Sequence, residues 1–186
     1  MIRPIIHSDI PEVAKVYMNS FFEADASEEW TLPKAEALIE FFLKVQPDLA
    51  FLIERDGVVA GAVLGIVKPW WDGNCLVETE IFISPEFKTR GIGTSLGVHY
   101  LEEAIKLYDV RSINTITFNE FDFPASLYSR IGFRDKTNWK VMVADVSEVV
   151  QKLNIMKAAK AFTSTASVNS TTSPPAPHQR NTLHRS

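Results

Sequence analysis

The run Ile81-Phe82-Ile83-Ser84-Pro85-Glu86-Phe87-Lys88-Thr89-Arg90-Gly91-Ile92-Gly93-Thr94 constrains this chain more than any other. Its apolar start reads as a strand, and Pro85 ends that strand because it has no amide hydrogen to give to a ladder. A short polar turn follows. Gly91 and Gly93 then open an amphipathic helix that runs to about Tyr108, with Ile92, Leu96, Leu101 and Ile105 on its buried side and Tyr100 or Tyr108 beside them. Such a strand–turn–helix unit leaves backbone N–H groups unpaired at the helix N-terminus, where the macrodipole favours an anion. Gly91 and Gly93 let the backbone approach a phosphate or pyrophosphate with no Cβ in the way. Lys88 and Arg90 stand at the rim for charge-assisted contacts.

Spacing separates the kinds of phosphate turn. A Walker loop requires Gly-Lys-Ser/Thr, but Gly93 is followed by Thr94-Ser95. The dinucleotide fingerprint requires a third small residue where Leu96 stands. What remains, a polar residue, two spacers, Gly, any residue and Gly directly after Ile-Ser-Pro, resembles the acetyl-coenzyme A loop of the GNAT superfamily of N-acetyltransferases. That loop usually has Arg or Gln where Lys88 sits. Farther on, Leu127-Tyr128-Ser129-Arg130-Ile131-Gly132-Phe133 resembles the Leu-Tyr-x-x-x-Gly-Phe motif of the same family. The family's asparagine and alanine before that tyrosine are here Phe121 and Pro124, and Asn119 stands in for the asparagine from a shifted position. The resemblance covers about residues 1–145.

The resemblance implies an α/β architecture with a mixed, mostly antiparallel sheet flanked by helices. It implies acetyl-coenzyme A as cosubstrate, no metal, and direct transfer to an amine without a covalent enzyme intermediate. The coenzyme is then held by Lys88, Thr89, Arg90, Gly91, Ile92, Gly93, Thr94 and Asn119, and by backbone N–H groups near Phe82 and Ile83, where the strand splays from its neighbour. Tyr128 takes the role of proton donor to the departing sulfur, its ordinary pKa lying about 1.5 units above that of a thiol. An ammonium acceptor must lose a proton before it attacks. Glu80 is the first candidate base and Glu78 the second, two carboxylates that share one strand face by period two; water alone as proton carrier stays open. The acceptor is a small-molecule amine or a protein amino group. The acidic loop Glu23, Asp25, Glu28, Glu29 and Trp30 suits an ammonium group or is a plain solvated loop. Whether the chain forms a homodimer, as many relatives do, stays open. The reading from a different class is a non-catalytic acyl-coenzyme A binding or structural protein that keeps the fold.

The composition is consistent with this. A chain of 186 residues with 46% hydrophobic content builds one core rather than two. A formal net charge of -4 gives no general pull toward nucleic acid. Cys75 is the single cysteine, so no internal disulfide forms, and the reading is a reducing cytoplasm. Neither a signal peptide nor a run of eighteen apolar residues is present, which predicts a soluble protein away from membranes. The pattern predicts strands at 2–6, 48–54, 58–67, 76–83, 112–118 and 138–143. Helices are predicted from Ile10 to about Phe22, from Leu32, over 91–108 and over 124–130. Domain 1–145 is followed by a helix over 146–160. From 161 to 186 the sequence turns to Ser, Thr, Pro and Asn, which cannot bury enough surface to offset its ordering entropy, so this tail is predicted to be disordered.

Overall fold

The structure, a computed structural model, describes residues 1–24, 29–117 and 122–168. The chain divides into two compact units, Met1–Leu127 and Tyr128–Ser186. Elements of the first unit follow in the order β1 (Ile2–Pro4), α1 (Ile10–Ala24), α2 (Leu32–Val45), β2 (Ala50–Arg55), β3 (Val58–Trp70), β4 (Gly73–Ile83), α3 (Ile92–Tyr108) and β5 (Val110–Ile113). Helix α4 (Asp122–Arg130) runs across the division, and α5 (Val146–Val168) lies in the second unit.

Local chemistry accounts for most of these elements. Asp9 accepts a hydrogen bond from the Ile6 amide at 2.9 Å just ahead of α1, and Pro11 occupies its first turn. Pro33 likewise sits at the start of α2, which buries Ala35, Ile39 and Phe42. Asp56 and Gly57 take φ of 53° and 80°, the left-handed pair that joins β2 to β3 in a tight hairpin.

The sheet has five strands in sequence order, antiparallel throughout except for the parallel β4–β5 pair. It is mixed, with helices on both faces, as the resemblance implies. Helices α1 and α2 cover one face, burying Val13, Tyr17, Ile39 and Phe42 against Leu52, Leu64 and Phe82. On the other face α3 lays Ile92, Leu96, Tyr100 and Ala104 on Phe51, Val63 and Leu76. Ile92, Leu96 and Tyr100 follow the stripe expected from the sequence, but Leu101 and Ile105, expected beside them, are exposed and Ala104 takes the buried place, because the stripe advances by four residues rather than by four and five. Each large aliphatic side chain so buried contributes about 1.5–3 kcal/mol.

Several boundaries differ from the expectations. Strands β3 and β4 reach Trp70 and Gly73, so the turn between them shrinks to Trp71-Asp72, because their pairing continues through Lys68–Cys75 and Pro69–Asn74. Strand β5 begins at Val110, two residues early, and ends at Ile113. The closing strand expected over 138–143 does not form. Trp139 donates instead to Lys136 O at 3.0 Å in a turn, and among the described residues no strand pairs with the segment. Alternation makes a segment fit for a sheet, but its amides need an edge to bind. Helix α5 extends past the expected end at 160 to Val168. Asn119, Asp25, Glu28 and the tail from 169 onward lie outside the described residues. Among the described residues no helix is long and apolar enough to cross a membrane, and no cluster of His, Cys, Asp or Glu is arranged to hold a metal ion.

Candidate active site

The glycine turn closes the end of β4. After Ile83 the chain makes one 3₁₀ turn over Pro85–Phe87, and Phe87 anchors it in the core on the α3 side. Thr89 and Gly91 then take φ of 63° and 73°, and Gly91 becomes the N-cap of α3 with no side chain capping the helix. Ser95 N donates to Gly91 O at 3.0 Å, the first bond of the helical ladder. The amides of Ile92, Gly93 and Thr94 precede that bond and have no helical partner of their own. The surroundings are open: a Cβ on Gly91 would meet nothing within 4 Å. Lys88, Thr89 and Arg90 are exposed, and the Arg90 guanidinium lies 5.5 Å from the Phe87 ring centroid. The turn therefore combines unpaired amides, a helix dipole and two cationic side chains, the constituents of an anion seat.

The second part of the site is the edge of β4. The strand pairs with β5 only from Asn74 to Leu76, after which Asn114 N donates to Leu76 O at 2.9 Å and the partner strand ends. Among the described residues no strand pairs with that edge over Val77–Ile83. Hydrogen-bond alternation fixes which amides face the gap. Ser84 N donates to Ala60 O at 2.9 Å, so Ala60–Ser84 is a hydrogen-bonded pair, and in the same register so are Ala62–Phe82 and Leu64–Glu80. The intervening residues Ile81 and Ile83, and Thr79 next in the alternation, direct their N–H groups away from β3 and into the gap. This corrects the pairing of Phe82 with Ile83 as amide donors. The Phe82 amide is turned to β3 and its side chain is buried against Tyr17 with ring centroids 5.0 Å apart, whereas the Ile83 amide faces the gap.

The two parts adjoin. A Cβ on Gly93 would sit 3.6 Å from the Ile83 side chain, so the start of α3 packs directly on the end of the open edge. Ser20, a buried polar residue on α1, braces the same point, its Oγ lying 2.7 Å from Val16 O and 2.9 Å from Ile83 O. The sequence carries no signal for that contact.

The candidate bases are separated by an irregularity. The β3–β4 register shifts between Leu64 and Ile66, so Glu78 and Thr79 together oppose Gly65. This bulge breaks period-two counting across Glu78, between Val77 and Thr79, and leaves it intact from Thr79 to Ile83. Val77, opposite Ile66, and Glu80, opposite Leu64, lie on the α1/α2 face, while Thr79 turns toward α3, where its Oγ1 is 3.3 Å from the Tyr100 hydroxyl. Glu78 sits in the bulge itself, exposed, with φ of 49°. The pair expected to share a face is therefore split, and Glu80 is the carboxylate on the side where Tyr17, Phe21 and Trp30 cluster.

In the second unit, Tyr128 is half-buried near the end of α4. Its carbonyl accepts from the Ile131 and Phe133 amides at 3.2 and 3.0 Å, and its ring centroid is 4.9 Å from that of Phe133. Gly132, with φ of 104°, makes that helix ending reachable.

The site thus joins a helix-capping glycine turn to the half-paired strand of a mixed sheet. Residues 11–133 match the family model described as the Acetyltransferase (GNAT) family, and the chain belongs to that family. An acetyltransferase of Sodalis glossinidius (strain morsitans) is 26% identical over 132 residues, 71% of this chain and 85% of the relative. Among solved structures, a putative acetyltransferase from Agrobacterium tumefaciens superposes with a TM-score of 0.59 at 18% identity, covering 77% of this chain and 99% of the other. The glucosamine-6-phosphate N-acetyltransferase from Arabidopsis thaliana has a TM-score of 0.56 at 13% identity, covering 78% and 98%. At these identities the structural neighbours establish the fold.

Proposed function

We propose that this acetyltransferase takes its acetyl group from acetyl-coenzyme A and passes it directly to a primary amine. The observation that carries the reading is the junction at Ile83: an uncapped helix N-terminus for the pyrophosphate adjoins a strand edge whose N–H groups face an open gap. The extended pantetheine arm would lie along that edge as a surrogate strand, and the amides of Thr79, Ile81 and Ile83 would supply donors to it and to the thioester carbonyl. Preorganised donors of this kind stabilise the negative charge that develops on the carbonyl oxygen during attack.

The remaining roles concern protons. The acceptor, with an ordinary amine pKa near 10.4, is cationic at neutral pH and must be deprotonated. Glu80 is placed first for this role because its register turns it to the α1/α2 face, and Glu78 second. Tyr128 is assigned to the departing thiolate on its motif alone. Lys88, Arg90 and the amides of Gly91 to Thr94 would hold the phosphates, with Asn119 a further contact. Both a small amine and a protein amino group fit these chemical requirements.

Calorimetric titration with acetyl-coenzyme A, with ATP as control, tests the first half of the reading. Saturable binding of the coenzyme alone is expected, and no binding by folded protein overturns the reading. Thiol release in a panel of primary amines tests the second half. Under it, Tyr128→Phe lowers turnover while leaving coenzyme affinity within about twofold, since the hydroxyl acts on the transition state. A protein that binds the coenzyme but releases no thiol with any amine is the non-catalytic binder instead.

A further inference from the structure

The bulge in β4 lies where pairing with β5 has just ended, and it is held from the α3 side by one buried hydroxyl. Tyr100 is 1% exposed. Its ring completes the α3 stripe, a task phenylalanine would perform equally, but its hydroxyl reaches Thr79 Oγ1 at 3.3 Å. The space around that oxygen is cut to fit. A Cβ on Gly65 would stand 2.0 Å from the Tyr100 hydroxyl and 2.9 Å from Thr79 Oγ1, so only glycine opposite the bulge admits the contact. Beside it Glu78 is held at φ of 49°, a conformation that a side chain adopts at a cost and keeps only where neighbours over-determine it. Burial pushes the Tyr100 hydroxyl up to about 12, so it remains protonated through the neutral range.

We propose that Tyr100 is a positioning residue for acyl transfer: its hydroxyl, wedged between Thr79 and Gly65, fixes the bulge so that the Thr79 amide points into the gap in line with those of Ile81 and Ile83. This rests on the transferase reading above, because the group to be oriented is the thioester carbonyl. The residue touches no substrate and acts through Thr79. A buried phenol that served packing alone would gain nothing from lying on the irregular point of the β3–β4 ladder, whereas a donor array needs that point held still. Misplacement of a reacting group by about 1 Å costs on the order of 100-fold in rate.

The test reads the carbonyl itself and needs no acceptor. Acetyl-coenzyme A labelled with ¹³C at the carbonyl is bound to the protein, and its C=O stretch is followed by infrared difference spectroscopy beside calorimetric affinity and thermal stability. In the wild type the bound band is expected below its solution frequency. In Tyr100→Phe and Thr79→Val it moves back toward the solution value with affinity within about threefold, and Thr79→Ser restores the wild-type position. Should Tyr100→Phe fail to fold, Thr79→Val removes the other half of the contact and leaves the ring in place. A band that stays at the wild-type frequency in the folded variants overturns the proposal and leaves the transferase reading standing. A folded wild type that does not bind acetyl-coenzyme A overturns both.

Discussion

The two halves of β4 were built for different work. From Asn74 to Leu76 the strand is paired on both edges, Cys75 and Leu76 are buried, and the stem is clamped from outside. Asn74 Nδ2 donates to Tyr108 O at 2.6 Å, and the Tyr108 hydroxyl donates to Asp48, which also accepts from Gln46 Nε2 at 3.1 Å. From Val77 to Ile83 the same strand keeps β3 on one side, and among the described residues no strand pairs with its other edge, with a bulge at the changeover. An unpaired edge is ordinarily a liability, since it offers its amides to any extended chain. Here the liability lies beside an anion seat, and under the proposed function the extended chain that fits it is a coenzyme arm. Pairing on both edges is confined to one half, and the proposed recognition edge to the other.

That contrast yields measurable differences. Leu76→Ala, fully buried in the closed half, should destabilise the protein by about 2–5 kcal/mol, whereas Ile81→Ala, 37% exposed in the open half, should cost under about 1 kcal/mol. Chemical denaturation of both variants measures this, and equal losses would break the comparison. Gly91→Glu sets a carboxylate in the anion seat and forces a side chain into φ of 73°. The space is open, so the fold should survive while acetyl-coenzyme A binding weakens by about 100-fold, roughly 2.7 kcal/mol. Calorimetry with circular dichroism as the folding control checks it. Native-state hydrogen exchange sharpens the same point. In the unliganded protein the Ile81 and Ile83 amides should exchange about tenfold or more faster than that of Phe82, and acetyl-coenzyme A should narrow the gap.

The smallest effect is electrostatic and belongs to the closed stem. The hydroxyl of Tyr108 holds the Asp48 carboxyl below its ordinary value of 3.8. The folded value thus lies under the unfolded one, so the stabilisation is complete above about pH 4 and is lost as pH falls through the folded value. Because Asp48 is exposed, Asp48→Asn should cost only about 0.5 kcal/mol at pH 7 and less in acid, where the carboxyl is protonated in both states. Denaturation at the two pH values reads it, and a loss that grows on acidification would invert the assignment.

Much of this was legible in the residues. The starts of α1 and α2, the first half of the α3 stripe and the glycine turn appear as read, because each depends on neighbours within a few positions along the chain. The anion seat was legible for the same reason: Gly91 must be glycine-like locally before any partner arrives. Glu78 and Glu80 show where such reading ends. Period two placed them on one face, and the bulge separated them, since an inserted residue in one strand is defined only against the strand opposite. The closing strand at 138–143 failed for a related reason: alternation does not supply a partner strand, and the segment turns on itself at Lys136–Trp139 instead.

What the chain determined by itself is therefore its local grammar: where strands stop, where helices are capped, and which turn would accept a phosphate. Tertiary structure decided which amides of β4 face a gap, that Phe82 turns its own toward β3, and that Tyr100, Thr79 and Gly65 meet at the bulge. Those facts depend on register between segments tens of residues apart. Register is set by the packing of both sheet faces at once, and no window of sequence contains it.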